Sequence, residues 1–328
     1  MSRVVGVTGG TGVVGSSLVR HLVEDGHRVR ALARSEASAR LLTGMGAEPV
    51  TGDVLDRDSV ISGFSGAEWV FHVAGVNEMC SRDPAIMYRV NHEGTLNVLE
   101  AVRAVGAQRM IHTSSAVTIG EPRGSVAVET MPHRGSYLSN YERSKTESEQ
   151  ALLEARGDTE VVMVNPASVQ GPGRATGTGK IIIDILSHKL GVLLDTILTL
   201  VDIDDTARGH LLAAENGRPG ERYLLAGWYG SIHDALSIVE SVTGETIDVR
   251  FLPIPLAAAG SAVMAGVDRV RGRKPRFCPE MIRVMAHGHT YDGSRATREL
   301  GLEYTPIAET LRNIIEWAHG EGLLDDTG

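Results

Sequence analysis

An α/β fold, built on a parallel sheet with a smaller C-terminal α+β lobe, is what the sequence predicts. Three observations carry this. Short β-branched runs alternate with amphipathic stretches through the first half of the 328-residue chain, the pattern of a parallel sheet covered by helices on both faces. A glycine-rich turn, Thr8-Gly9-Gly10-Thr11-Gly12-Val13-Val14-Gly15, sits directly between the first such run and the first such stretch. After Pro166 the alternation breaks and apolar segments of irregular spacing follow.

The first strand is expected over residues 4–7, and an amphipathic helix over 13–25 that Gly26 stops, because glycine just past a helix end accepts the left-handed turn there. Residues 27–33 read as the second strand and Glu48–Thr51 as the third. The fourth, fifth and sixth fall at 69–73, Arg109–Thr113 and 161–164, with helical patterns over 84–105 and 137–155 between them. Beyond Pro166, Gly171-Pro172-Gly173 and Gly177-Thr178-Gly179 make a loop and residues 181–194 are strongly apolar. Residues 204–215 and 231–243 read as helices and 222–226 as a strand. No repeat or linker interrupts the chain, and the tail 325–328 is expected to fray.

Acidic residues outnumber basic ones by 41 to 32, a net charge of −9. That field repels phosphate backbones and argues against general nucleic-acid binding. The two cysteines, Cys80 and Cys278, cannot make a disulfide framework and fit a reducing cytoplasm. The N-terminus enters the first strand with no signal-peptide apolar core, so a cytoplasmic protein is expected. The longest apolar stretch, residues 251–267, is interrupted by Pro253 and Pro255 and falls short of the roughly 20 residues of a membrane span. A packed helix is expected there. The 12 histidines include no His-Glu-x-x-His or Cys-x-x-Cys pattern, which points to scattered structural histidines and no metal. His72 and His112 belong to buried strands. No Gly-x-Ser-x-Gly elbow suggests a hydrolase.

The glycine turn has a chemical meaning. Gly9 allows a sharp turn, Gly12 lets backbone approach a pyrophosphate, and Gly15 lets helix pack on strand, the arrangement of a Rossmann-type doubly wound sheet. The helix that opens there offers free N–H groups and a positive dipole end to phosphates, with Thr11, Val13 and Val14 completing the cradle. Where NAD sites usually place a carboxylate for the ribose hydroxyls, the chain has Ala33-Arg34-Ser35. A guanidinium pairs with a phosphate, so Arg34 favours NADP(H), with NAD(H) as the alternative.

Tyr141-Glu142-Arg143-Ser144-Lys145 places a tyrosine and a lysine four apart in a helical pattern, on one face. Tyrosine titrates near 10 and is a poor acid–base at neutral pH; a neighbouring ammonium is expected to lower it, as proton exchange with a carbonyl or alcohol requires. Ser114-Ser115 ends the fifth strand. Parallel strands end on one edge of the sheet, so a serine hydroxyl there reaches the place where Tyr141 points.

With Gly52-Asp53-Val54, His72-Val73-Ala74-Gly75, Asn91-His92-Glu93-Gly94-Thr95-Leu96-Asn97, Thr113-Ser114-Ser115, Asn165-Pro166-Ala167-Ser168-Val169 and Val201-Asp202-Ile203-Asp204-Asp205-Thr206-Ala207, the chain resembles the extended short-chain dehydrogenase/reductases. This is also called the NAD-dependent epimerase/dehydratase family, and the resemblance covers nearly the whole chain. It implies that Ser115 polarises the substrate oxygen, Tyr141 exchanges the proton, and Lys145 holds the nicotinamide ribose. It places Asp53 and Val54 beside the adenine; Ala74, Gly75, Val76 and Thr113 along the cofactor; and Asn165, Pro166 and Ser168 beside the nicotinamide. Residues 1–168 are then the dinucleotide-binding domain, with 199–226 returning to it, and 169–198 with 227–328 the substrate lobe. A homodimer through the helices after strands four and five is also implied.

Within that family, Thr113-Ser114-Ser115-Ala116 lacks the carboxylates of the dehydratases, and Thr118-Ile119-Gly120 lacks an aromatic found in many sugar epimerases. Arg34 and the segment from Asn165 to Pro172 resemble dihydroflavonol-reductase and 3β-hydroxysteroid-dehydrogenase relatives. The expected reaction is NADP(H)-dependent transfer of hydride between nicotinamide and a ketone or secondary alcohol. Nucleotide-sugar 4-epimerisation on the same residues, and a non-catalytic NADP-sensing protein, are the alternatives. Val76, Asn77, Glu78, Cys80, Tyr137, Val169 and the 181–194 stretch are candidates for the substrate pocket.

Overall fold

The structure, a computed structural model, describes residues 2–324 apart from 82, 274 and 276, so the expected fraying of 325–328 lies outside the described residues. The first half alternates as the sequence predicts: β1 (Val4–Thr8), α1 (Val13–Glu24), β2 (Arg28–Ala33), α2 (Glu36–Gly44), β3 (Glu48–Thr51), α3 (Arg57–Gly63), β4 (Trp69–His72), α4 (Ala85–Tyr88), α5 (Gly94–Val105) and β5 (Arg109–Thr113). Then come β6 (Val126–Ala127), α6 (Asn140–Ala155), β7 (Glu160–Pro166), β8 (Ser168–Gln170), α7 (Gly177–Leu186), β9 (Val192–Leu194), β10 (Ile197–Asp202) and α8 (Ile203–Asn216). The chain closes with β11 (Arg222–Leu225), β12 (Trp228–Ser231), α9 (Ile232–Thr243), β13 (Arg250–Leu252), α10 (Ile254–Val270), α11 (Pro279–His287), β14 (Thr290–Tyr291) and α12 (Ile307–Gly320).

Seven parallel strands in the order β3-β2-β1-β4-β5-β7-β11 form the central sheet. The order reverses between β1 and β4. In open α/β sheets ligands bind at the carboxyl ends of strands flanking such a switch point, and both the glycine turn and His72-Val73-Ala74-Gly75 emerge there. The strands are apolar on both sides because helices cover both faces: Val5, Val7, Phe71, Ile111, Val162 and Val164 lie in one core cluster, Val70, Met110 and Val161 in another. The smaller sheet β12-β10-β8 and a core of α7, α9 and α12 around Ile183, Val239, Leu311 and Ile314 build the rest of the C-terminal part. A hydrogen bond from Ser17 Oγ to Asp204 Oδ1 (2.8 Å) ties α1 to α8.

The structure differs from the sequence reading at several elements. The single helix expected over 84–105 is interrupted at Arg89–Glu93 by a π-helical turn, a feature common at functional sites. The helix expected from 137 begins at Asn140, because Ser139 caps it, its hydroxyl accepting from the Glu142 N–H. Residues 181–194 divide into the end of α7 and β9, separated by His188 at φ +56°. The 251–267 stretch is β13 followed by α10, which packs on one side only: Ala257 is buried with Leu194 of β9 and Ile282 of α11, while much of the helix stays exposed. Apolar character recurs around this whole helix, so the sequence alone could not say which face a neighbour covers. The two cysteines, separated by 198 positions, are joined as a disulfide with Cα atoms 5.8 Å apart. Two cysteines that the reading left as separate thiols are brought together because the loop after β4 meets the start of α11.

Candidate active site

The glycine turn is sterically committed to its conformation. Gly9 has φ +71°, and a Cβ there would lie 2.6 Å from the Ala74 backbone nitrogen; a Cβ on Gly15 would lie 2.0 Å from the Gly9 carbonyl oxygen. Thr8 Oγ1 accepts from the Ala74 N–H (3.1 Å) and meets His72 Nδ1 at 2.8 Å, which locks the ends of β1 and β4 together. Gly12 stands at the N-cap of α1 with no side-chain cap, so the first N–H groups of the helix are free for an anion. Thr11 and Gly12 are exposed at this mouth, while Val13 and Val14 pack against the core with their backbone at the helix start.

Arg34 follows β2 with its side chain mostly exposed, and its guanidinium lies 4.0 Å from Asp53 Oδ2. Asp53 Oδ1 accepts from the Leu55 N–H (2.9 Å), so the carboxylate also shapes its own turn. Val54 is buried and its carbonyl accepts from Asn97 Nδ2 (2.9 Å). Asn91, in the π-turn, braces the loop after β4: it accepts from the Val76 N–H (2.7 Å) and donates to the Val76 carbonyl (2.9 Å) and to Ser144 Oγ (3.0 Å). Through Asn91 the Ala74-Gly75-Val76 segment is held against α6, the helix that carries Tyr141 and Lys145.

Ser115 lies near the Tyr141 hydroxyl and favours its ionised form, while Lys145, one turn further along α6, reaches the end of β5. Burial pushes Tyr141 above its ordinary value; Ser115 and the field of Arg174 pull it back. The expectation that Lys145 lowers Tyr141 is therefore corrected: the opposing groups are Ser115 and Arg174, and burial outweighs them. Lys145 is itself buried; its Nζ donates to the Thr113 carbonyl (2.8 Å) and lies 3.5 Å from His112 Nε2. Burial lowers it to about 8, with Glu149 opposing. Behind it, His72 and His112 stack at 5.2 Å. Burial, reinforced by Lys145, holds both neutral, His72 pushed down to about 3, so they are packed strand residues, as expected. Thr113 Oγ1 meets His210 Nε2 at 2.8 Å.

A residue that the sequence reading missed underlies this set. Glu149, two turns beyond Glu142 on α6, is buried; its Oε2 accepts from Ser114 Oγ (2.5 Å), Thr118 Oγ1 (3.0 Å) and Asn165 Nδ2 (2.9 Å), and its Oε1 pairs with Arg222 (3.1 Å). Asn165 also donates to the Ser115 carbonyl (3.2 Å). The carboxylate thus fixes the strand end that presents Ser115. Arg174 was also missed: it has no side-chain hydrogen bond or ion pair among the described residues, and burial lowers it while the Tyr141 hydroxyl opposes. The signal for Glu149 was its i+4 spacing from Lys145 on a buried helix face; nothing in the sequence pointed to Arg174.

The substrate candidates separate. Asn77 and Tyr137 are exposed, Tyr137 tilted against His133 at 5.2 Å. Val169 is buried in the main core with Val201 and Ile203, so its side chain does not reach the cleft. Cys80 is buried in its disulfide. Pro166 is buried at the end of β7, and Ser168 Oγ is engaged with Thr178 Oγ1 (2.6 Å). Two of the histidines expected to be scattered come together: the ligand atoms of Glu121, His287 and His289 lie within 4.8 Å of one another. His289 Nδ1 is 2.6 Å from Glu121 Oε1 and 2.9 Å from the Tyr291 hydroxyl, and Arg134, beside them, pairs with Glu142. They are joined by the pairing of β14 with β6. A cleft of about 480 Å³ among Arg3, Asp25, His27, Trp69 and Glu215 lies at the amino ends of β1 and β4, away from this chemistry.

The profile of the NAD dependent epimerase/dehydratase family matches residues 5–226, about two thirds of the chain. The chain belongs to this family. Among relatives of this NAD-dependent epimerase/dehydratase member, a Synechocystis sp. protein named for dihydroflavonol 4-reductase is 34% identical, covering 97% of this chain and 95% of its own. Sterol demethylase protein B of Methylococcus capsulatus is 31% identical, covering 97% and 99%. The crystal structure of gox2253 is 31% identical and superposes with a TM-score of 0.84 over 99% of this chain and 100% of its own. The chain is thus an NAD(P)-dependent oxidoreductase of the extended short-chain dehydrogenase/reductase type, and no helix among the described residues is long and apolar enough to cross a membrane.

Proposed function

We propose that the protein is an NADP(H)-dependent reductase/dehydrogenase acting on a ketone or secondary alcohol. The observation that carries this is Ser115, which follows β5 at the carboxyl edge of the sheet and lies near enough to the Tyr141 hydroxyl to favour its ionised form. The residues fit a dinucleotide: a turn that only glycine can make, uncapped helix N–H groups, and Arg34 exposed just after β2. A bound nicotinamide supplies or accepts the hydride. Ser115 stabilises the substrate oxygen by donating to it, and Tyr141 gives that oxygen its proton in reduction or takes it in oxidation. Lys145 and Glu149 hold Thr113, Ser114 and Ser115 in place from behind.

The names of the relatives, for dihydroflavonol and sterol chemistry, support a hydrophobic ketone as substrate. Arg34 supports NADP(H) over NAD(H) because a guanidinium free to leave Asp53 at 4.0 Å can take a ribose phosphate. The family resemblance supports a homodimer through α5 and α6, which light scattering reads. Tyr141→Phe removes turnover with a panel of aromatic and sterol ketones while dinucleotide affinity, read by fluorescence titration, stays within a few-fold; unchanged turnover overturns the mechanism. NADPH binds more tightly than NADH, and Arg34→Ala removes the difference; equal binding by the natural protein overturns the cofactor reading. A nucleotide-sugar 4-epimerase would use the same three residues, but it would return its cofactor each cycle, so stoichiometric release of oxidised cofactor separates the two.

A further inference from the structure

α10 presents an apolar stripe to solvent. Leu256, Val263, Met264, Val267 and Val270 are 60%, 67%, 47%, 42% and 89% exposed. At 100° per residue they fall within an arc of about 120°, and the positions where Ala257 and Ser261 are buried begin at its edge. Single exposed apolar side chains need no explanation, but a contiguous stripe of five marks a surface that something covers. Phe277, 44% exposed, adds to it just beyond the helix.

The stripe ends in a basic run. From residue 269 the sequence reads Arg-Val-Arg-Gly-Arg-Lys-Pro-Arg, five cations and no carboxylate in eight residues, in a chain whose net charge is −9. Arg269 and Arg271 are exposed at the last turn of α10 and its C-cap. Exposed apolar side chains beside a basic cluster suit the surface of an anionic bilayer, the apolar groups among the acyl chains and the cations on lipid phosphates. The helix cannot span a bilayer, since its 17 residues cover about 26 Å.

We propose that α10, with Arg269 and Arg271 at its C-terminal end, docks the protein on an anionic membrane surface. Charge complementarity selects this occupant. A second copy would bring another cationic run into the shared surface, whereas a leaflet containing acidic lipid neutralises it. The proposal does not depend on the catalytic reading, because none of these residues belongs to the active site.

The test is flotation of the full-length protein with vesicles, alongside light scattering without them. The protein should float with vesicles of phosphatidylcholine mixed with phosphatidylglycerol, float much less with phosphatidylcholine alone, and be released by raised salt. Val263→Asp with Val267→Asp should reduce the bound fraction at least tenfold, and Arg269→Glu with Arg271→Glu should abolish the preference for phosphatidylglycerol. Both pairs are exposed, so melting temperature and dinucleotide affinity should stay unchanged, confirming a folded protein. A natural protein that stays unbound with every vesicle overturns the proposal, as does a Val263→Asp/Val267→Asp variant that floats like it. A dimer that those two substitutions split into monomers also overturns it, by assigning the stripe to a second copy.

Discussion

At the scale of single residues, the site turns on how buried groups share protons. Tyr141 is held high by burial and drawn down by Ser115 and Arg174. Removing Arg174 deletes one of the two groups that favour the phenolate, so Arg174→Met should move the rising limb of the pH profile for alcohol oxidation to higher pH and lower the rate at neutral pH by roughly tenfold. A profile that does not move would remove Arg174 from the mechanism. Lys145 gives a second, thermodynamic test. Its folded value of about 8 lies below the usual value near 10.4 of an unfolded lysine. Between those two values the unfolded chain binds more protons than the folded one, so this residue's contribution to stability rises with pH through that window and is absent below about 8. Denaturant unfolding of the apoprotein at pH 7.5 and 9.5 should therefore show a gain of order 1–2 kcal/mol that Lys145→Met lacks.

At the scale of elements, the strand end that carries Ser115 is fixed by one carboxylate on a neighbouring helix. Glu149 Oε2 accepts three hydrogen bonds in a buried setting. In Glu149→Gln one of the two side-chain oxygens becomes an amide that must face donors or lose its partners. Stability should fall by about 2–4 kcal/mol and kcat should drop, with KM for the cofactor little changed, because α1 and the glycine turn are untouched. Steady-state kinetics with a thermal melt read both effects. How much of this was legible in the sequence follows from distance along the chain. Tyr141 and Lys145 share one helix and Ser115 ends one strand, so spacing alone found them. The strands of the central sheet were found nearly to the residue because β-branched runs buried on both faces leave a strong local pattern. The short strands β8, β9, β12, β13 and β14, of two to four residues each, owe their existence to remote partners and left no such pattern. The same holds for Glu149 with Ser114 and for Arg174 with Tyr141, which the fold alone brings together. The π-turn at Arg89–Glu93 was read as uninterrupted helix because its residues fit either winding.

At the scale of the whole molecule, one of the places where the C-terminal part is tied to the central sheet is a covalent bond. Cys278, preceding α11, is bonded to Cys80 in the loop after β4. Next to it Glu280 accepts from the Cys80 N–H (3.2 Å) and from the Asn140 N–H (2.6 Å), at the residue before Tyr141. The bond and the Glu280 bridge therefore tie three things: the loop after β4, the start of α6, and α11. A cross-link between positions 198 apart removes much conformational freedom from the unfolded chain, and losing it should cost about 2–4 kcal/mol, seen as a fall of several degrees in Tm. Scanning calorimetry of the natural protein with and without reductant should show that fall. A Cys80→Ser/Cys278→Ser variant should melt at the lower temperature under both conditions, since it has no bond to reduce. Because Glu280 still bridges Cys80 and Asn140 in that variant, turnover near neutral pH should survive with at most a modest rise in KM for substrate. Natural protein that melts identically with and without reductant would show that the bond does not hold the lobe, leaving the Glu280 bridge and the β6–β14 pairing to do so.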